Sequence, residues 1–360
     1  MIDLSVHRVV VLSLIEKLRA NYIFPNIAES ISACLQQHLE AGEYAGIEDG
    51  ELLALALTLH LQEISHDEHL WVRWHEVPLP EGEEALRQNA QWQEERMLEA
   101  RLENYGINRV ERLPGNVGLL DIRYFHRPAW GGDTLSAAMN FITNAHALII
   151  DLRKCSGGYP GMVALALSYL FGEEPLHLSS IYWRDDDRTQ QYWSLPYVPG
   201  RRFLEKPVYV LSSKGTFSAG EAFASILQNR KRALVLGDQT DGGAHPGVSY
   251  RLSPHFEAFI PVGRAFDPLT GADLEGVGVT PNILIPQEQA FTAAYHIALR
   301  AILADLGEPA SESLRNLAKE AQAALTELEQ GRKICLKCGY QNPPYLGKCK
   351  NCGEFFSNEA

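Results

Sequence analysis

The chain has 360 residues, carries 45 acidic against 32 basic side chains for a formal net charge of −13, and is 46% hydrophobic. That is the make-up of a folded globular protein with room for more than one domain, and it excludes extended disorder. The acidic balance argues against broad nucleic-acid binding by the body of the protein, which would draw on Lys and Arg neutralising phosphates, and no stretch reaches the roughly 18 apolar residues of a membrane span.

In chain order, the apolar run 9–15 follows Asp3 and is cut short by Glu16 and Lys17. This is not the order of a signal peptide, so the chain is expected in the cytoplasm and off the membrane. Between about residues 5 and 62 apolar side chains recur at helical spacing, as in Val10, Leu14 and Leu18 and in Ile31, Cys34, Leu35, His38 and Leu39. A helical N-terminal domain over 1–76 follows, closed by a short strand at 70–74. Pro78 and Pro80 then break the chain, and the Glu- and Arg-rich stretch 82–104 reads as a solvated helix within a connecting segment, 77–115.

From residue 116 strand and helix patterns alternate. Apolar strands are expected at 117–122, 147–151, 208–212 and 233–236, with helices at 162–171 and about 219–228. The fold class is therefore α/β, with a mostly parallel sheet covered by helices over 116–306. An Ala-, Glu- and Leu-rich helical stretch, 307–332, is expected to link this core to a small C-terminal unit at 333–356.

That unit holds four of the six cysteines, as Cys335-x-x-Cys338 and Cys349-x-x-Cys352. Where thiols stay reduced, paired CxxC knuckles point to tetrahedral Zn²⁺ rather than disulfides. Four thiolates leave no open position, so the zinc is expected to be structural. Tyr340, Tyr345 and Phe355 offer aromatic surface to a protein partner, although a self-contained cap fits the pattern equally well.

Two fragments carry chemistry. Ser218 sits where a buried strand gives way to a helix, among unpaired amides at the positive helix end, so an oxyanion formed there can be held by the Ala219 amide. A plain N-cap serine would look the same. The fragment Asp151-Leu-Arg-Lys-Cys-Ser-Gly157-Gly158 ends another buried strand, and its paired glycines can turn amides toward a reacting carbonyl; a tight turn is the alternative. A phosphate-binding loop is disfavoured because no Gly-Lys-Ser/Thr follows.

The ordered motifs DLRKCSGG, TFSAGEAFASIL, ALVLGDQTDGGAHPG and LEGVGVTPN resemble the S41 family of serine peptidases, which includes tail-specific proteases, the tricorn core and the interphotoreceptor retinoid-binding protein. The segments NYIFP and SHDEHL resemble the N-terminal domain of the retinoid-binding-protein branch. The resemblance implies a ClpP/crotonase-like core and a serine-type hydrolase acting on a peptide or protein. Its nucleophile motif, Ser-Ala-x-Glu, falls on Ser218-Ala219-Gly220-Glu221. The position of the tail-specific general-base Lys is Gly243, so that dyad is absent, and Lys214 precedes the serine and does not match. The tricorn-like pattern instead implies His69 as base and Glu275 as its acidic partner, with an oxyanion hole from Gly157 or Gly158 and Ala219. A neutral imidazole can accept the serine proton, and a carboxylate can orient it. His66 and His245 are the other candidate bases. Cys155 stands where the family usually has Asn. The stretch 78–115 is too short for the inserted domain with which tail-specific proteases bind peptide C-termini. The alternative is a catalytically silent S41-like protein that binds an apolar ligand or a peptide in the same cleft, or, more remotely, an adaptor working through the C-terminal cysteine unit, which resembles a bacterial zinc ribbon.

Overall fold

The computed structural model describes residues 4–81, 90–330, 333–335, 337–342, 349 and 351–353. The helical repeat at the N-terminus builds α1 (Leu4–Asn21), α2 (Pro25–Ala41) and α3 (Gly50–Ser65), followed by β1 (Trp71–Trp74) and α4 (Ala90–Leu102). Pro25 starts α2 with its fixed φ, and Gly42 ends it in the left-handed region at φ 76°. Asp49 caps α3 by accepting the amides of Glu51 and Leu52 at 2.8 and 3.0 Å. Residues 93–99 of α4 are exposed, as its charge pattern predicts. The first part of that charged run, 82–89, lies outside the described residues.

The core follows as β2 (Ile107–Leu113), β3 (Val117–Ile122), α5 (Pro128–Ile142), β4 (Ala147–Asp151), α6 (Pro160–Ser168), β5 (His177–Trp183), β6 (Arg188–Trp193), β7 (Val208–Ser212), α7 (Ala219–Asn229) and β8 (Leu234–Gly237). Then come β9 (Gly247–Ser253), β10 (Phe256–Pro261), β11 (Gly263–Phe266), β12 (Ile283–Leu284), α8 (Gln287–Leu306) and α9 (Glu312–Glu329). The short pair β13 (Lys333–Ile334) and β14 (Gln341–Asn342) closes the described chain.

The main sheet runs β12-β8-β7-β4-β3-β2 and is parallel except for β2, which turns back on β3. Its central strands β3, β4 and β7 are apolar on both faces because both are covered. Leu148, Ile150, Val208 and Val210 point to α5, α6 and α7, while Ala147, Ile149, Tyr209 and Leu211 point to α8 and α9. The architecture is thus α/β, with helical layers on either side of the sheet.

The N-terminal helices do not form a core of their own. Val10, Leu14, Leu18, Ile31, Leu35, Leu53 and Leu57 share one buried cluster with Leu252, Phe256, Ala258 and Ile260 of β9 and β10. The strand expected at 70–74 completes this junction. It pairs antiparallel with β10, Trp71 opposite Phe259, in a sheet ordered β1-β10-β9.

The stretch expected to be a linker is also part of the packed body. α9 buries Ala321, Ala324 and Leu325 against Leu113, Val117 and α8. Beyond it the Cys338-Gly339 turn lies over β2: a Cβ on Gly339 would stand 2.5 Å from the Arg109 guanidinium. Tyr340 is 44% exposed. Tyr345 and Phe355 lie outside the described residues.

Candidate active site

Ser218 lies beyond the carboxyl ends of two adjacent parallel strands, β4 and β7, where open α/β sheets place their ligands. The turn leading from β7 to Ser218 is fastened to the chain leaving β4. Thr216 Oγ1 donates to the Leu152 carbonyl (2.8 Å), Ser213 Oγ to that of Arg153 (2.5 Å), and the Phe217 amide to that of Cys155 (2.9 Å). Gly220 fits against Cys155, since a Cβ there would meet the sulfur at 3.1 Å.

Held in this way, Ser218 adopts φ 52° and ψ −117°, a strained conformation for a non-glycine residue. An ordinary N-cap has extended backbone, so capping alone does not account for it. Its amide donates to Glu221 Oε2 at 2.8 Å. Glu221 is fully buried and also receives Thr240 Oγ1 (2.6 Å) and the amides of Gly242 (2.9 Å) and Gly243 (2.7 Å). Burial pushes its carboxyl up, and these donors work against the shift. One side chain thereby ties the serine turn to the loop 240–243.

Gly157 and Gly158 pass over the serine at φ 115° and 133°. A Cβ on Gly157 would come 2.8 Å from Ser218 Cβ, and one on Gly158 would come 2.2 Å from the Phe125 carbonyl oxygen, so only glycine fits either position. The amides of Gly158 and Ala219 have no acceptor among the described residues. Cys155 is buried with its thiol pushed up to about 12, chiefly by burial, so it is not a nucleophile.

His69 enters from the helical region. Its ring packs on Phe217, the neighbour of Ser218, at a centroid distance of 4.5 Å. The residue is 8% exposed, and neither ring nitrogen has a hydrogen-bond partner among the described residues. Burial brings its pKa down to about 4 against the pull of Asp67, so the imidazole is neutral at pH 7. Asp67 Oδ1 lies 4.0 Å from His69 Nδ1 and accepts the His69 amide at 3.0 Å. His66 is an exposed residue at the end of α3, and Lys214 is exposed on the serine turn.

Glu275 reaches the same cluster from the loop 267–278. That loop is stitched to 240–244 by Gly276 N to Gly242 O (2.9 Å) and Val279 N to Thr240 Oγ1 (2.6 Å). Glu275 Oε2 accepts the Ala244 amide (2.6 Å) and lies 3.2 Å from His245 Nδ1, and Oε1 has no partner among the described residues. Burial and the Asp67 charge raise its carboxyl to about 7. The structure therefore gathers Ser218, His69, Glu275 and the two amides in one neighbourhood, with no hydrogen bond between His69 and either Ser218 or Glu275.

Asp67 and His245 were not legible as one unit. Asp67 Oδ2 accepts from Tyr22 OH (3.1 Å) and His245 Nδ1 (2.8 Å). The only local sign of this is that Asp67 and His69 share one short segment. Gly243 explains the missing lysine sterically, because a Cβ there would stand 2.4 Å from Phe217 and 2.5 Å from His69. A side chain at 243 and this placement of His69 exclude each other. Gly243→Ala is expected to cost about 1–3 kcal/mol in thermal unfolding by overpacking against Phe217 and His69.

At the C-terminus, the sulfurs of Cys335, Cys338, Cys349 and Cys352 lie within 4.8 Å of one another, with the Cys335–Cys352 and Cys338–Cys349 pairs at 3.5 Å. Thiolates about 2.3 Å from a tetrahedral zinc ion stand at such separations, so the donor set fits a metal.

Comparison with known proteins agrees with the fold. Among curated relatives, carboxyl-terminal-processing peptidase 2 of Arabidopsis thaliana, a chloroplast protein, is 28% identical over 218 residues, covering 55% of this chain and 40% of its own. The chain spans less than half the length of the first curated relatives it matches. A putative peptidase from Parabacteroides merdae superposes with a TM-score of 0.55 at 17% identity, covering 81% of this chain and 96% of its own. The tricorn protease superposes with a TM-score of 0.52 at 12% identity, over 86% of this chain and 37% of its own. The model for peptidase family S41 matches residues 116–285, that for the N-terminal domain of Peptidase_S41 in eukaryotic IRBP matches residues 5–105, and the chain belongs to family S41.

Proposed function

We propose that the chain is a serine-type peptidase in which Ser218 attacks the scissile carbonyl, His69 takes its proton and Glu275 supports the imidazolium. The observation that carries this reading is the strained Ser218 at the start of α7, beside the unpaired amides of Gly158 and Ala219. Those amides form the oxyanion hole for the tetrahedral intermediate, reinforced by the positive end of the helix. His69 is held in its neutral, proton-accepting form. Collapse of the intermediate breaks the C–N bond, and His69 returns the proton to the leaving amine. Water then repeats the sequence on the acyl-enzyme.

Hydrogen bonds of a catalytic set commonly close only around substrate. Here both nitrogens of His69 and Oε1 of Glu275 are unpaired among the described residues, as such closure requires. The substrate is a peptide or protein, in keeping with the carboxyl-terminal-processing relatives. A fluorophosphonate probe, which reports an activated serine, tests the reading. The wild type is expected to label, and Ser218→Ala and His69→Ala are expected not to.

The four C-terminal cysteines are proposed to hold one structural Zn²⁺. Metal analysis of the purified chain is expected to find one zinc per chain, and none after Cys335→Ser with Cys338→Ser. Retention of zinc in that variant would contradict the assignment.

A further inference from the structure

We propose that His245 is a positioning residue of this site: a buried imidazolium that joins Asp67 of the helical region to Glu275 of the core and fixes both carboxylates for the reaction. The proposal rests on the peptidase reading above and adds to it a residue that touches no reacting atom. His245 is 3% exposed. Its Nδ1 stands 2.8 Å from Asp67 Oδ2 and 3.2 Å from Glu275 Oε2, so a single N–H faces two carboxylates that arrive from opposite sides of the helical–core junction.

The surrounding charges are accounted for. From the helical side come Asp67, Tyr22 OH on Asp67, the edge of Phe24 against the ring (5.2 Å), and the neutral His69. From the core side come Glu275 and Asp273, the latter 3.9 Å from Nε2 and itself paired with Arg264 at 2.8 Å. Two carboxylates this close and this buried repel each other unless a cation lies between them, and His245 is the group placed to supply it. Burial alone would lower its pKa, but the carboxylates of Asp273, Asp67 and Glu275 outweigh burial and bring it up to about 9.

The same cation keeps Glu275 aligned. Without it Glu275 would be pushed up further by the Asp67 charge, and Asp67, which accepts the His69 amide, would lose its main partner. Two limbs follow for the labelling rate, with signs fixed by the forms required. The rate rises as pH passes about 7, when Glu275 ionises, and falls as pH passes about 9, when His245 loses its proton. The limbs belong to the Asp67–His245–Glu275 cluster as a unit.

The test is the rate of fluorophosphonate labelling against pH for the wild type and His245→Gln, together with NMR titration of the histidine rings in the wild type. His245→Gln is expected to lose the alkaline limb, to move the acid limb upward, and to label about 100-fold more slowly at pH 7.5, the order of loss expected from misplacing a reacting group. A residue with a merely structural role would lower the rate without moving either limb. In the wild type, the His245 ring is expected to stay protonated through pH 7.5 while His69 stays neutral. An unchanged profile in His245→Gln, or a His245 ring that is neutral at pH 7, overturns the proposal and leaves the peptidase reading standing. A wild type that labels at no pH sinks the peptidase reading instead, while the ring titration still decides the charge of His245 independently of any variant's folding.

Discussion

Ser218→Ala is expected to abolish turnover, by about 10⁴-fold or more, while leaving thermal stability within about 1 kcal/mol of the wild type. The contrast follows from where the serine's bonds lie. Its amide, which persists in alanine, makes the hydrogen bond to Glu221, and the conformation at φ 52° is imposed by the turn fastened to Leu152, Arg153 and Cys155. The hydroxyl's partner within the fold is the Glu221 amide in the first turn of α7, so its removal takes away the nucleophile and one helix cap, worth about 1 kcal/mol. A peptide-hydrolysis or probe-labelling assay beside a melting curve checks both halves.

Glu221 gives the opposite pattern. Glu221→Ala is expected to lower stability by about 3–5 kcal/mol, because it leaves buried donors from Ser218, Thr240, Gly242 and Gly243 without their shared acceptor. Activity should fall with it, since the same carboxylate aligns the Ser218 turn with the loop carrying Gly243, Ala244 and His245. Glu221→Gln is expected to be only a partial substitute, because its amide nitrogen would face donors where the carboxylate offered acceptors on both oxygens. Denaturant unfolding of the two variants beside the wild type measures the difference.

Much of the fold was legible because its signals are local. The parallel strands read as short apolar runs bounded by turns, and 117–122, 147–151 and 208–212 are observed as β3, β4 and β7. Helical periodicity gave the N-terminal helices in the same way. What local pattern could not carry was pairing over distance. The strand at 70–74 was visible, but not its partner β10, which lies far along the chain, so the shared core of the helical region and β9–β10 was not foreseen. The Ala-rich composition of α9 reads equally as linker or as a close-packed helix, and only Ala321 and Ala324 against Leu113 and Val117 decide it.

The site was legible in its parts and not in its wiring. As candidates, Ser218 and the Gly157-Gly158 turn were recognisable from motif and local chemistry, and His69 and Glu275 from the family resemblance. The cluster of Asp67, His245 and Glu275 was not, because burying three titratable groups runs against composition rules and is tolerable only when folding brings their charges into register. Nor does any sequence pattern announce that Ser218 adopts a positive φ.

The most direct test of the central claim is to locate the fluorophosphonate adduct by peptide mass spectrometry on the folded wild-type protein. The account predicts a single phosphonylated residue, Ser218, formed as its Oγ displaces fluoride. An adduct on Ser156 or Ser213 in place of Ser218, or none on a folded chain, would contradict it.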